Sequence, residues 1–308
     1  MYETPILLVT FNRPKHTSEV LAQIKLQQPR YLYVFQDGAR DEIPEDREKC
    51  KAVRELINRE VDWNCNLKTL YEEKNLGCGY GPVKAISWLF ENEEQGIILE
   101  DDIVPSKDFF RFSGEMLIKY RDDNRIWMIS GMNRMERWKP NCQSYVFTRL
   151  GNTWGWASYR RAWKYFDHDM ITWFTGDGKA KINKIVGEKK FEAYEKDFDF
   201  HCSPERRNDV WDYHWHFARL YYSGLCVVPS VNLVSNIGFD QESTHTFGKD
   251  SSITTLKIID LVFPLKNHSV KIDRIFDWVS FQRFGNPSHK TFVKRAGLKL
   301  IRLVFRNL

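Results

Sequence analysis

The feature that most constrains this chain is the alternation of short apolar runs with amphipathic segments over roughly its first hundred residues. Four runs rich in β-branched, leucine and aromatic residues predict strands at residues 5–11, 31–35, 66–71 and 96–99. Between them the apolar residues recur at helical spacing. Strands separated by helices pair in parallel more readily than as hairpins. The pattern therefore predicts an α/β fold with a mostly parallel, Rossmann-like sheet flanked by helices.

Three consecutive acidic residues, Glu100, Asp101 and Asp102, follow the fourth predicted strand. In an open parallel sheet, ligands bind outside the carboxyl ends of the strands, where these carboxylates are expected. Hard oxygen ligands suit Mg²⁺ or Mn²⁺, and such a cation would bridge phosphate oxygens. The alternative is a solvated acidic turn, which the fully apolar strand directly before it disfavours.

Two further polar loops are predicted at the same edge of the sheet. Asp37 and Gly38 follow the second strand, and a glycine-rich loop at residues 75–81 precedes a helix whose first turn suits Pro82. That loop has neither the dinucleotide-binding spacing nor a Walker A sequence, so alone it is typical of any tight strand–helix turn. Together, the three loops predict a nucleotide pocket.

Seven stretches follow one another along the chain: Thr10-Phe11-Asn12-Arg13-Pro14, Gln36-Asp37-Gly38, Asn75-Leu76-Gly77, Ile97-Ile98-Leu99-Glu100-Asp101-Asp102, Trp154-Gly155-Trp156-Ala157, Asp209-Val210-Trp211-Asp212-Tyr213-His214-Trp215, and residues 228–238. Their order resembles that of GT-A-fold glycosyltransferases, in particular bacterial nucleotide-diphospho-sugar transferases related to the N-acetylglucosaminyltransferase I family. The resemblance covers about residues 5–247. It implies a metal-dependent, inverting transfer of a sugar from a nucleotide diphosphate donor, a UDP-sugar by preference, to a glycan or lipid-linked acceptor.

The resemblance also implies roles for single residues on the donor side. Asp102 would bind Mn²⁺ or Mg²⁺, Asp101 would lie near the ribose, and Glu100 would lie near the donor sugar. The remaining donor contacts would come from the loops after the first two strands, namely Thr10, Asn12, Arg13 and Asp37.

On the acceptor side, Asp212 matches the general base of the family, and a carboxylate can take the proton from an attacking hydroxyl. A helix N-cap is the alternative for this residue. The eukaryotic relative has an acid after that aspartate, whereas this chain has Tyr213, which leaves the acceptor contacts unassigned. Four tryptophans are expected to stack on sugar faces, with core packing as the alternative: Trp154, Trp156, Trp211 and Trp215.

Three histidines are candidates for metal binding. Asp212, His214 and His216 have the spacing of a ligand cluster on a strand, but a helix is expected here, and alternate positions do not share a helix face. The roles of His214 and His216 therefore stay open. His245 follows the core in a polar loop, as does a histidine that some GT-A enzymes use as a second metal ligand. A surface histidine is the alternative.

Two other functions compete with the glycosyltransferase hypothesis. A sugar-nucleotide nucleotidyltransferase has similar acids and a similar sheet, but usually carries a glycine-rich signature near the first strand, which this chain lacks. A catalytically silent sugar-binding or membrane-scaffold protein would not need to keep both the acidic triplet and Asp212.

The resemblance divides the chain into a nucleotide-sugar-binding half at residues 1–130, an acceptor-binding half with the catalytic base at 131–250, and a basic C-terminal, helical extension at 251–308. Residues 265–308 hold ten Lys and Arg against two Asp, a net charge of +8. Since the whole chain carries +5, the remainder carries −3, and general nucleic-acid binding is disfavoured.

Residues 290–308 hold six cations and no acid, which predicts an amphipathic helix on an anionic membrane surface. Packing on the protein's own core, or a dimer contact, is the alternative. No apolar run approaches the roughly 18 residues of a membrane span, and no signal peptide is visible. The expected location is the cytoplasm, with peripheral contact to the inner face of the plasma membrane through this segment.

Overall fold

The computed structural model describes residues 1–239 and 256–284, which form ten strands and ten helices. The strands are β1 (Ile6–Thr10), β2 (Tyr31–Gln36), β3 (Asn66–Tyr71), β4 (Gln95–Glu100), β5 (Ile103–Pro105), β6 (Ile126–Ser130), β7 (Tyr145–Thr148), β8 (Trp156–Tyr159), β9 (Leu225–Pro229) and β10 (Val234–Asn236). The helices are α1 (Pro14–Lys25), α2 (Glu45–Glu60), α3 (Gly77–Asn92), α4 (Lys107–Lys119), α5 (Arg160–Trp163), α6 (Ile171–Thr175), α7 (Gly178–Val186), α8 (Glu188–His201), α9 (Asp212–Tyr221) and α10 (Arg274–Phe284).

Eight strands form one sheet in the order β3-β2-β1-β4-β8-β6-β9-β7. The first four are parallel to one another, and β6 is parallel to β9. By contrast, β8 is antiparallel to both of its neighbours, and β7 is antiparallel to β9. β5 and β10 form a separate antiparallel pair. The predicted α/β class, with a mostly parallel, Rossmann-like sheet flanked by helices, is confirmed.

The central strands are buried on both faces, and their side chains alternate between two hydrophobic cores because successive residues of a strand point to opposite faces. Ile6 and Leu8 of β1 pack into the core that α1, α2 and α4 cover. Leu7 and Val9 pack into the core that α3, α5, α9 and α10 cover. A third cluster joins α6, α7 and α8 to the outer face of α9.

One helix start differs from the sequence-based prediction. The first helix begins at Pro14, where proline fits because it lacks the amide that the first turn leaves unpaired. The third begins at Gly77, so that Pro82 lies inside it and not in its first turn. The carboxylate of Asp37 accepts hydrogen bonds from the backbone amides of Leu76 and Gly77, which fixes this earlier start.

Strands from both sides of residue 130 share the large sheet, and the division into residues 1–130, 131–250 and 251–308 stays a prediction. His245 and the basic segment 290–308 lie outside the described residues. In the ranges 1–239 and 256–284, no helix has both the length and the apolar character needed to cross a membrane.

The packing of the second core generates a stability prediction. Trp156 is fully buried, so its replacement in Trp156→Ala should lower the free energy of unfolding by about 3–5 kcal/mol, since a large cavity remains. Trp278 is 50% exposed, and Trp278→Ala should change the same quantity by no more than about 0.5 kcal/mol. Urea unfolding of both variants measures the difference, and equal losses would contradict the assignment of Trp156 to the core.

Candidate active site at the crevice between β1 and β4

The candidate site lies where the order of the sheet reverses. The chain passes from β1 through α1 to β2 on one side, whereas β4 pairs with the other side of β1, with Val9 opposite Glu100. In open α/β sheets, ligands bind in the crevice that such a reversal opens at the carboxyl ends of the strands. The loop after β1 and the acidic triplet at the end of β4 both emerge into this crevice.

Arg13 connects the two sides of the crevice. Its Nη1 lies 3.0 Å from Oδ2 of Asp102 and 3.7 Å from Oδ1 of Asp101. The backbone amide of Phe11 donates to Oδ2 of Asp101 at 3.2 Å. Burial disfavours the charge on Arg13, but Asp101 and Asp102 outweigh that effect and raise its pKa. The predicted donor residue Arg13 and the predicted acids are therefore brought together.

The acids repel one another in this enclosed position. Burial raises the pKa of Glu100, and Asp102, Asp101 and Asp212 raise it further. Burial also raises the pKa of Asp101, although Arg13 opposes that shift. A single guanidinium does not balance this concentration of carboxylates, so additional positive charge would be stabilised in the crevice.

The described residues contain no group of three or more histidine, cysteine or acidic side chains placed to enclose a metal ion. Mg²⁺ does not require such a group, since it commonly uses one or two carboxylates and completes its shell with water and substrate phosphates. Asp102 suits such a partial shell, because Arg13 on one side and the backbone of Gly238 on the other fix its carboxylate. Only glycine fits at position 238, since a Cβ there would lie 2.2 Å from Oδ2 of Asp102.

The other predicted donor contacts have structural partners. Thr10 is buried, and its Oγ1 donates to the carbonyl oxygen of Phe35 at 2.8 Å. Asn12 is also buried, and its Nδ2 donates to Oδ1 of Asp46 at 2.6 Å. Arg40 pairs with the other oxygen of Asp46 at 2.6 Å. These contacts shape the loop around the crevice rather than present free groups to a ligand.

Asp37 organises a loop junction. Its Oδ1 accepts from the amides of Gly38 and Leu76 at 2.9 and 2.8 Å. Its Oδ2 accepts from the amide of Gly77 at 2.9 Å and from Nδ2 of Asn75 at 3.1 Å. Burial raises the pKa of Asp37, and the backbone amides oppose the shift. With both oxygens occupied, Asp37 serves the N-terminus of α3, where a negative charge is favourable.

Asp212 is the first residue of α9 and follows the N-cap residue, which is Trp211, so Asp212 itself is not the N-cap. Its Oδ1 accepts a hydrogen bond from the amide of Tyr213 at 3.0 Å. Burial raises its pKa. Asp212 lines a cavity of about 240 Å³, and its negative charge raises the pKa of Glu100, so it lies near both the cavity and the acidic cluster.

The tryptophans divide differently from the sequence-based expectation. Trp156, Trp211 and Trp215 are 0%, 6% and 0% exposed and belong to the second core. The rings of Trp156 and Trp211 stack with centroids 5.7 Å apart. These three are core residues, because contacts with other aromatic rings cover their faces, and Trp215 also lines the cavity beside Asp212. Trp154 is half-buried and packs edge-on against Phe239.

The two histidines on α9 are both enclosed by the protein. His214 is fully buried and stacks on His168 with ring centroids 5.1 Å apart. Burial lowers the pKa of His214 to about 4 and that of His216 to about 3. His216 lines the cavity beside Asp212, whereas His214 does not, in agreement with the helical spacing.

The sequence reasoning missed Arg219, which lines the same cavity and is 1% exposed. The sequence did indicate it, because Asp212, His216 and Arg219 are spaced so that they share one face of a helix. It was missed because an arginine at the end of an aromatic helix is equally typical of an exposed basic residue.

No protein-family model matches the chain, and no curated protein matches it. Several solved structures match. One is a mannose-1-phosphate geranyltransferase from Thermus thermophilus, at 9% identity and a TM-score of 0.38 over 75% of each chain. Another is the inositol-1-phosphate CTP transferase from T. maritima, at 9% identity and a TM-score of 0.39 over 74% of this chain and 86% of that one. A third is 4-diphosphocytidyl-2C-methyl-D-erythritolsynthase from Anaerococcus prevotii DSM 20548, at 8% identity and a TM-score of 0.37 over 82% and 93%.

These matches correct the main functional expectation. The expectation of a metal-dependent inverting glycosyltransferase is wrong. The matching structures are named as a geranyltransferase, a CTP transferase and an erythritol synthase, and none of these is the name of a glycosyltransferase. None of the three is named as an N-acetylglucosaminyltransferase. The expected role of Asp212 as a base for sugar transfer depends on that function and is therefore withdrawn with it. One fold hosts many chemistries, so the residues of the site decide between functions.

The capping role of Asp37 leads to a prediction. Asp37→Ala removes the acceptor of four donors, so the free energy of unfolding should fall by about 2 kcal/mol or more. Asp41, whose side chain is 95% exposed, provides the matched control, and Asp41→Ala should leave it within about 0.5 kcal/mol. Urea unfolding tests both, and a stable Asp37→Ala variant would return Asp37 to the group of ligand contacts.

The enclosed His214 leads to a pH prediction. Its pKa is about 4 in the folded protein and about 6.5 in an unfolded chain, so the unfolded state binds the extra proton between these values. The contribution of His214 to stability is complete above about pH 6.5 and is lost as the pH falls towards 4. In His214→Phe, the free energy of unfolding should therefore depend on pH less steeply, by about 1.4 kcal/mol per pH unit between 4.5 and 6. Identical slopes in urea titrations would show that His214 is accessible to protons in the folded state.

Proposed function

We propose that the chain is a nucleotidyltransferase, which joins a nucleoside monophosphate group to a small phosphorylated sugar or polyol. The observation that carries the proposal is the ion pair of Arg13 with Asp102, next to Glu100 and Asp101, across the crevice between β1 and β4. Sheets of this topology bind nucleotides at such a crevice. Acids that can hold a divalent cation, together with a guanidinium, suit a substrate that carries several phosphates.

In the proposed reaction, a phosphate oxygen of the sugar phosphate attacks the α-phosphorus of a nucleoside triphosphate. A new P–O bond forms there while the bond to the β-phosphate breaks, and pyrophosphate leaves with the electron pair. No side chain has to act as a base, because a phosphate monoester with a second pKa near 6 is already ionised at neutral pH. The demands on the protein are therefore alignment and charge stabilisation.

Arg13 would supply part of the positive charge. The loop after β1 has no glycine, so its backbone cannot cradle phosphates as a glycine-rich loop does. The guanidinium of Arg13 would instead exchange Asp102 for a phosphate group, to whose oxygens it can donate two parallel hydrogen bonds. Arg13 can make this exchange because its partners in the present structure, Asp101 and Asp102, are residues of the site itself.

Asp102, with Glu100 beside it, would hold Mg²⁺ or Mn²⁺ when the substrate is bound. The cation would supply charge neutralisation for the triphosphate. Asp101, which the amide of Phe11 fixes, would keep the loop after β1 against β4. Asp212 would accept hydrogen bonds from hydroxyl groups of the second substrate in the adjoining cavity.

The proposal predicts pyrophosphate release when the protein is supplied with a nucleoside triphosphate, Mg²⁺ or Mn²⁺, and a sugar 1-phosphate. In Asp102→Asn the rate should fall roughly 10²–10³-fold, since an electrostatic contact to the phosphates is lost. Asp122→Asn provides the matched control at an exposed aspartate and should keep the wild-type rate. A panel of four nucleoside triphosphates and several sugar phosphates, read by coupled pyrophosphate detection, makes the measurement.

Two outcomes would contradict the proposal. One is an equal rate in Asp102→Asn and Asp122→Asn. The other is the absence of pyrophosphate release across the panel while nucleotides still bind, as thermal shift reports. Binding without turnover would indicate a nucleotide-binding module at the same crevice.

A further inference from the structure

We propose that the cavity along α9 is an anion-binding subsite, in which Arg219 pairs with a negatively charged group of the second substrate. The proposal rests on the function proposed above and narrows its substrate class. The second substrate would carry an acidic group, a carboxylate or a second phosphate, in addition to the phosphate that reacts. Both groups present oxyanions that a guanidinium binds with two parallel hydrogen bonds.

Arg219 is a buried cation without an acidic partner in the part of the chain that the structure describes. It is 1% exposed, and its Nη1 donates to the carbonyl oxygen of Arg149 at 3.2 Å. Its Nε has no hydrogen-bond partner among the described residues. Burial lowers the pKa of Arg219, while Cys226 and Tyr194, neither of them a carboxylate, oppose the shift. A buried charge left in this way is unfavourable, and an anion in the cavity would relieve it.

The cavity next to Arg219 has a volume of about 240 Å³. Pockets that enclose drug-sized ligands measure roughly 300–1,000 Å³, so this one suits a group the size of a monosaccharide and not a whole nucleotide. Asn152 and Thr153, from the loop before β8, add polar atoms to its lining, and Asp197 and Arg134 contribute further charge. A nucleotide would then occupy the crevice and the second substrate the cavity.

The two ends of the cavity have different electrostatic character. Asp212, His216 and Arg219 share a face of α9, and seven residues at 1.5 Å each separate the first from the last by about 10 Å along the axis. Asp212 raises the pKa of Glu100, which puts its end beside the acidic cluster. An anionic group would therefore be repelled from the Asp212 end and attracted to Arg219, which orients the ligand.

His216 lies between the two ends and adds a neutral polar group. Its Nε2 is buried and has no hydrogen-bond partner in residues 1–239 and 256–284. Burial first, and Arg219 next, lower the pKa of His216 to about 3, so the ring does not compete with Arg219 for the anion. The free ring nitrogen is available to a hydroxyl group of the ligand.

The test compares three probes on the full chain by isothermal titration calorimetry: glucose 1-phosphate, glucose 1,6-bisphosphate and glucuronic acid 1-phosphate. The wild type should bind at least one of the two doubly acidic probes about ten-fold or more tightly than glucose 1-phosphate. Preference for the bisphosphate identifies a phosphate as the group at Arg219, and preference for the glucuronate identifies a carboxylate. Equal binding of all three probes would overturn the proposal.

The variants locate the preference. Arg219→Gln and Arg219→Met should both abolish the preference for the acidic probes. The methionine replaces the buried charge by an apolar side chain of similar length, so this variant is expected to fold. Arg121→Met changes an exposed arginine and should leave the preference intact. Variants of Arg219 that fold and retain the preference would overturn the proposal.

The outcome is separable from that of the proposed function. A protein that prefers the acidic probes but releases no pyrophosphate supports the anion subsite and contradicts nucleotidyl transfer. A protein that releases pyrophosphate but shows no such preference contradicts the subsite alone. Nucleotide affinity, measured in parallel, should be the same in Arg219→Met and in the wild type.

Discussion

The mutual repulsion of carboxylates at the end of β4 is the constraint around which the site is built. Glu100, Asp101 and Asp102 lie at the end of a strand that is buried on both faces, where like charges interact strongly because water is excluded. Arg13 reduces that repulsion from the neighbouring loop. Because the loop after β1 and the acids of β4 depend on each other in this way, the crevice between the two strands is formed before any ligand binds.

The loops around the crevice are held by a second layer of buried polar contacts. Asp37 binds the start of α3, and Asp46 binds both Asn12 and Arg40. Gly38 permits the contact between Asp37 and the start of α3, since a Cβ at position 38 would lie 2.4 Å from the backbone of Lys74. Buried carboxylates with this many donors rigidify the backbone. The polar residues that follow the strands thus form two groups. One group lies in the crevice, and the other holds the loops that carry the first group in place.

The fold was predictable to a large extent, and the site was predictable in part. Strand β3 has the bounds that the sequence pattern predicts, because the spacing of apolar residues in a strand depends only on neighbouring residues. The tryptophans were not predictable in the same way. Trp156 and Trp215 come from elements separated along the chain, and only their packing against each other shows that they are core residues. Aromatic side chains serve cores and sugar sites equally well, so residue type does not decide between them.

By itself, the sequence determined that this chain forms a mostly parallel sheet with helices on both faces and that three acids end its fourth strand. Those properties follow from local hydrophobic periodicity and from adjacency along the chain. Only the tertiary structure decided that Arg13 reaches Asp102, that Asp37 serves a helix terminus, and that Arg219 is a buried cation beside a cavity. Each of these depends on contacts between distant segments, and the free energy of a charged group is set by its surroundings in space rather than by its neighbours in sequence.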